Sequence, residues 1–221
     1  MSDPLWTAVD TYIADHLLGD DPALAAALAA NANGGLPAID VSATQGKMLH
    51  LLARIAGARR ILEVGTLGGY STIWLARALP AEGKLVTLEL EQHHADVAAA
   101  NIARAGLAGR VEIRVGLAVD TLQAMIAAGE APFDLVFIDA DKPGNVAYLN
   151  AALALSRPGT TIIVDNVVRE GGILDTSGED DKIEGSRRLF EAVAAEPRLS
   201  ATAVQTVGAK KWDGFLLAVV Q

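Results

Sequence analysis

Between residues 60 and 165 the chain alternates two rhythms: short unbroken apolar runs, and longer stretches whose apolar residues recur every three or four positions. The first rhythm predicts strands over 60–64, 84–89, 110–115, 133–139 and 160–165. The second predicts helices over 70–79, 92–105, 118–128 and 145–156. Strands apolar on both sides, each followed by a helix, imply a parallel sheet covered on both faces. The pattern changes after a polar, glycine-containing loop over 167–180 and one more helix reaching about residue 195. Two last apolar runs, 199–206 and 214–220, are separated only by residues 207–213, too few for a helical crossover, so they are expected to pair antiparallel. The expected fold is α/β: a doubly wound, Rossmann-like seven-stranded sheet, mostly parallel, with an antiparallel C-terminal hairpin and helices on both faces.

Three helices are expected ahead of the first strand. Residues 3–18 carry Leu5, Trp6, Val9, Ile13 and Leu17 at helical spacing, with Pro4 suited to a first turn. Asp21-Pro22 opens an alanine-rich helix that Asn33-Gly34-Gly35 ends, and Ser42 caps a third over 43–56. Nothing reads as a linker or repeat. The chain is therefore expected to form one domain, with residues 1–57 as a helical cap on a core of 58–221.

Composition narrows the function classes. With 221 residues, 51% of them hydrophobic, the chain can build one sizeable core. A formal charge of −9 argues against nucleic acid or an anionic membrane as partner, since both select basic patches. There is no cysteine, hence no disulfide framework and no thiolate nucleophile. No apolar run approaches the roughly 20 residues that span a bilayer. A cytoplasmic protein is the expectation.

The first strand runs through Ile61-Leu62-Glu63-Val64 into Gly65-Thr66-Leu67-Gly68-Gly69 and then a helix. Glycines there let a ligand approach the turn, and the following helix offers free N–H groups. The spacing is not the G-x-G-x-x-G of a pyrophosphate-binding turn. Glu89 ends the second strand, where a carboxylate accepts hydrogen bonds from a ribose diol. Glu63 would repel a dinucleotide's phosphates but attract an ammonium group. S-adenosylmethionine, which carries a ribose diol and an ammonium, fits this pair of acids better than NAD. The competing reading is plain: the glycines make a tight turn and Glu63 pairs with an arginine.

Two successive strands finish in acids, Phe137-Ile138-Asp139 and Ile163-Val164-Asp165-Asn166. Side by side in a parallel sheet, their ends lie about 5 Å apart. Asp139, Asp165 and Asn166 then offer three oxygen donors to a hard divalent cation with coordination positions left open. Lys142 lies three residues beyond Asp139 and can reach the same place as a general base. For one acid alone, capping the next helix would be the simpler role; three donors from two strand ends weigh against coincidence.

These segments, with Val41-Ser42-Ala43-Thr44-Gln45-Gly46, Gly68-Gly69-Tyr70-Ser71 and Asp139-Ala140-Asp141-Lys142, resemble the cation-dependent class I O-methyltransferases, the family of caffeoyl-coenzyme A and catechol O-methyltransferases. The resemblance spans nearly the whole chain. It implies that Asp139, Asp165 and Asn166 bind Mg²⁺ or another divalent ion such as Ca²⁺ or Mn²⁺. It also implies that Val41, Glu63, Gly65, Thr66, Ser71, Glu89, Ala118 and Asp139 line an S-adenosyl-L-methionine site, and that Lys142 is the catalytic base. The expected acceptor is a small aromatic molecule with adjacent hydroxyls, and the expected assembly is a homodimer. The loop Val167-Val168-Arg169-Glu170-Gly171-Gly172 lacks the Trp-Asn segment of plant members, which argues against a coenzyme A thioester. An NAD-dependent oxidoreductase and a non-catalytic S-adenosylmethionine-binding protein are the alternatives. His16, His50, His93, His94, Trp6 and Trp212 read as surface or packing residues, Glu179-Asp180-Asp181 as a helix start, and Lys210-Lys211 as a solvated turn.

Overall fold

Seven strands carry the architecture, and a computed structural model describes them within residues 3–221. They are β1 (Arg60–Val64), β2 (Lys84–Glu89), β3 (Val111–Val115), β4 (Leu135–Ile138), β5 (Thr161–Asp165), β6 (Leu199–Gly208) and β7 (Lys211–Val220). The helices are α1 (Pro4–Leu17), α2 (Pro22–Asn33), α3 (Ala43–Ile55), α4 (Tyr70–Ala78), α5 (Gln92–Arg104), α6 (Ala118–Ala127), α7 (Asn145–Ala154) and α8 (Asp181–Ala195). Short 3₁₀ turns occupy Lys142–Gly144 and Arg169–Leu174.

The strands lie in the order β3-β2-β1-β4-β5-β7-β6. All neighbours from β3 to β5 pair in parallel, while β7 runs antiparallel to both β5 and β6. The order reverses direction between β1 and β4, and ligands of open α/β sheets bind outside the strand ends at such a reversal. Register matters here: Val64 faces Leu88 on one side and Ile138 on the other, and Ile138 faces Val164. The ends of four strands are thereby level.

Strand alternation divides the core into two layers. Ile61, Leu85, Leu135 and Ile163 pack under α2–α5 with Leu49, Ile73, Leu75 and Ile102. Leu62, Val86, Val136 and Ile162 face Leu122, Met125, Leu149 and Leu189 of α6–α8. The same period of two puts Glu63 on the Ile61 side, beneath α4, with no exposed surface.

Two elements differ from the sequence expectation. β4 stops at Ile138 and not at Asp139: the Asp139 amide makes one last bond to Val64 O at 2.8 Å, and the chain then turns away. The hairpin is longer than expected, with Val207 opposite Trp212 and Gly208 opposite Lys211, so only Ala209-Lys210 form the turn. Asp213-Gly214 looks like loop sequence, yet it is paired strand. Gly214 has no room for a side chain beside Val204 O and Val168, and the Asp213 carboxylate faces the neighbouring loop, not water.

Helix α1 contributes no buried residue. Asp3 caps its start, accepting from the Leu5 amide at 2.8 Å, and Asp10 accepts from the Ala209 amide at the hairpin tip, also at 2.8 Å. Among the described residues, no helix is long and apolar enough to cross a membrane.

Candidate functional site

A cleft of about 590 Å³ opens over the carboxyl ends of β1, β2, β4 and β5. Its walls include Val41, Gly65, Thr66, Ser71, Glu89, Ala118, Asp139, Lys142 and Asn166. A smaller cavity of about 220 Å³ lies between α1, α3 and the β6–β7 hairpin, and Gln45, Met48, Asp165, Asn166 and Phe215 border it. Asn166 belongs to both. Asp165 and Glu63, singled out in the sequence, do not face the larger cleft.

The glycine turn is built for close approach. Gly65 sits at φ +103°, and a Cβ there would collide with the Asp139 carbonyl oxygen, so the ends of β1 and β4 touch across this residue. Glu89 holds the turn from the other side. Its Oε2 accepts from the Thr66 and Leu67 amides at 3.2 and 2.8 Å, and its Oε1 from the Glu91 amide at 3.0 Å. His94 Nδ1 stands 3.4 Å from that same Oε1 and reaches the cleft wall. A histidine assigned to the solvated face of its helix therefore borders the site.

Behind the turn runs a buried amide network. Asn101 Nδ2 donates to Gly68 O at 2.9 Å and to Asn31 Oδ1 at 3.0 Å, and Asn31 Nδ2 donates to Asp40 Oδ1 at 2.8 Å. Helix α5 is thus hydrogen-bonded to the glycine segment, and α2 is tied to it through Asn101. Burial pushes the Asp40 carboxyl up, against the pull of Asn31 and the Lys210 charge.

Glu63 lies under this floor. It accepts from Ser71 Oγ at 2.6 Å, from Thr87 Oγ1 at 2.7 Å and from Thr72 Oγ1. Burial raises its carboxyl to about 7; the three hydroxyls oppose the rise and the charge of Asp139 adds to it. Its reach to the cleft is through Ser71, which stands in the wall. The arginine partner of the plain reading is absent from its hydrogen bonds.

The acid-ended strands meet as their register requires. Lys142 Nζ, only 6% exposed as a residue, donates to Asp139 Oδ1 at 3.0 Å. Asp165, also buried, accepts from Gln45 Nε2 at 2.7 Å through Oδ2 and from the Asn166 amide at 2.9 Å through Oδ1. Asn166 adopts φ +56°, a left-handed conformation that turns the chain sharply after β5. Burial and the Asp139 charge push the Asp165 carboxyl up to about 7, while Lys142 and Gln45 pull it down. A buried carboxylate whose ionisation a neighbouring acid disfavours, beside a side-chain amide, suits a hard dication with oxygen preference. Among the described residues no three His, Asp or Glu side chains gather, so this mixed set of two acids and one amide is the candidate metal centre.

Several wall residues escaped the sequence reading. Gln45 lay within a quoted motif, but its partner is 120 positions away. Tyr148 donates to Asp141, which also caps the Gly144 amide at 3.0 Å. Capping therefore falls to Asp141, not Asp139. Arg169 and Lys182 also border the cleft.

Comparison with known proteins places the chain in context. The profile of the O-methyltransferase family matches residues 18–219. A catechol O-methyltransferase of Mycobacterium tuberculosis is 56% identical over 213 residues, 96% of this chain and 95% of that protein. An O-methyltransferase from Bacillus cereus, crystallised in complex with SAH, superposes with a TM-score of 0.97 at 58% identity, covering 98% of this chain and 99% of its own. The O-methyltransferase TomG from Streptomyces achromogenes, involved in tomaymycin synthesis and solved in complex with SAM, gives 0.96 at 50% identity, covering 100% of this chain and 99% of its own.

Proposed function

The chain belongs to the O-methyltransferase family, and on that premise we propose that it moves a methyl group from S-adenosylmethionine to one hydroxyl of a catechol-like aromatic small molecule with the aid of a divalent cation. The observation that carries the reading is the register of β4 and β5, with Ile138 opposite Val164, so that Asp139 follows the end of one strand and Asp165 and Asn166 close its neighbour, with Lys142 Nζ 3.0 Å from Asp139. The likeness to a catechol O-methyltransferase at 56% identity and to structures in complex with SAM or SAH supports the acceptor and the donor.

Each residue has a part. Glu89, at the end of β2, accepts the donor's ribose hydroxyls, and Gly65, Thr66, Val41 and Ala118 shape the walls around it. Ser71 carries the influence of Glu63 toward the donor's ammonium end. Asp139, Asp165 and Asn166 would hold Mg²⁺ or a similar ion such as Ca²⁺ or Mn²⁺. Bound there, it supplies Lewis acidity that lowers the pKa of an acceptor hydroxyl. Lys142 Nζ, in its neutral amine form, takes the hydroxyl proton and becomes the ammonium, and the cleft walls keep water from the methyl carbon. Because opposite charges cancel in the transfer, alignment by these walls contributes more than charge stabilisation.

The assembly we propose is a cytoplasmic homodimer. Leu5, Val9, Tyr12 and Leu17 of α1 are all at least half exposed, an apolar face suited to a second copy. The acidic charge of −9 disfavours nucleic acid and anionic membrane as partners. Methyl transfer from labelled donor to catechol, run in Mg²⁺ and again in chelator, tests the catalytic reading. Turnover should vanish in chelator and in Asp165→Ala, with the variant's circular dichroism unchanged. Full activity of Asp165→Ala in chelator would remove the cation from the reaction.

A further inference from the structure

Charge in the 590 Å³ cleft does not balance evenly along its length. At the β2 and β1 ends its groups are satisfied: Glu89 by backbone amides and Asp40 by Asn31. Beyond Asp139, Lys142 is spent on Asp139, and Asp141 on Tyr148 and the Gly144 amide. Two cations remain in the same wall, Arg169 and Lys182. Among the described residues, neither the Arg169 guanidinium nor the Lys182 ammonium has a carboxylate or hydrogen-bond partner. Their neighbours do: Arg187 is paired with Glu184 at 3.3 Å and bonded to Ile173 O, and Lys211 is paired with Glu170 at 3.1 Å.

The backbone behind Arg169 is held against its preference. Asn166, Arg169 and Glu170 have φ of +56°, +57° and +54°, a region side-chain-bearing residues avoid. Asp213 Oδ1 fixes the turn by accepting from the Val168 and Arg169 amides at 3.0 and 2.9 Å, and Lys211 holds Glu170. Strain that a surrounding structure over-determines gathers where a side chain must be aimed. Sheet order places Arg169, and α8, which carries Lys182, packs against the same segment. With β2, β1, β4 and β5 in sequence across the sheet, the nucleoside end lies over β2 and β1, and the segment after β5 stands at the opposite side of the cleft, past Lys142.

We propose that Arg169 and Lys182 read an anionic substituent on the acceptor, so that the preferred substrate is a dihydroxyaromatic acid and not a neutral catechol. This rests on the methyltransferase reading above and adds the substrate class. A carboxylate on the ring edge away from the reacting hydroxyls would meet a guanidinium suited to two-pronged recognition and an ammonium acting as a point charge.

The test compares 3,4-dihydroxybenzoate with its uncharged isostere 3,4-dihydroxybenzamide, using the full-length enzyme with Mg²⁺ and donor. The acid should exceed the amide at least ten-fold in kcat/KM, mainly through KM, and the excess should shrink as salt is raised. In the Arg169→Gln/Lys182→Gln double variant the acid-to-amide ratio should collapse toward one. Lys182→Gln alone, at an exposed helix start, should lower it part of the way even if the double variant folds poorly. A parallel calorimetric titration of both ligands into the wild-type protein with SAH reads affinity without turnover. Equal handling of acid and amide by the wild type, or a ratio unmoved in the variants, overturns the proposal while leaving the methyltransferase reading intact. Methylation of neither compound, nor of catechol, would instead sink that reading.

Discussion

Glu63 shows how far a side chain's chemistry depends on neighbours that sequence does not reveal. Its place at the end of β1 was readable from the strand pattern, and so were the two neighbouring strands β4 and β5 whose ends lead into Asp139 and Asp165. The hydroxyls that enclose Glu63 come from two other elements, and burial raises its carboxyl to about 7. The unfolded chain releases that proton near the ordinary 4.5, so between these values the folded state binds the extra proton. Stability contributed by the neutral acid is therefore present at low pH and lost as pH climbs toward 7. Replacing Glu63→Gln should flatten this dependence. Thermal melts of the ligand-free protein from pH 5 to 8 should show the wild type losing about 2 kcal/mol more than the variant across that window. Parallel melting curves for the two proteins would show that Glu63 is ionised throughout. Gln45 marks the limit of the sequence reading: its bond to Asp165 depends on how α3 docks on the sheet, which no local pattern encodes.

Strands buried on both faces announce themselves as nearly unbroken apolar runs; β1, β2, β4 and β5 were legible within about a residue or two. The β6–β7 hairpin was not. Its outer strand is exposed along most of its length, and Asp213-Gly214 interrupts β7 with loop-type residues. The interruption has a physical reason, since Asp213 Oδ1 accepts from three backbone amides: Val168, Arg169 and its neighbour Gly214. That carboxylate ties β7 to the segment that follows Asn166. Asp213→Ala should leave Val168 and Arg169 amides without partners and cost about 2 kcal/mol in denaturant unfolding. Hydrogen exchange at residues 167–174 should accelerate while β1 and β4 stay protected. Protection unchanged in that segment would mean that other contacts hold it.

Across the whole molecule, seven strands, their order of directions and the helical layers followed from the alternation of patterns, because right-handed crossovers leave few ways to wind such a chain. What did not follow was the docking of α1. It buries none of its residues and is held to the body at Asp10 and through contacts with β6 and α3. Its outward face of Leu5, Val9, Tyr12 and Leu17 is consistent with burial against a second copy. Light scattering behind a sizing column should give about twice the 23.0 kDa of one chain, and Val9→Glu with Leu17→Glu should shift the mass toward the monomer. A wild-type protein running at one chain's mass would leave that face to another use.

Asn166 borders two hollows, and the parts that surround them have separate anchors in the chain. In the proposed reading, donor handling belongs to strand ends that cannot shift without disturbing the core. The rest hangs on a hairpin tip, an outer helix and a short strained segment. A lineage can therefore exchange what it methylates by editing these peripheral pieces, and inherit the costly half of its machinery unaltered.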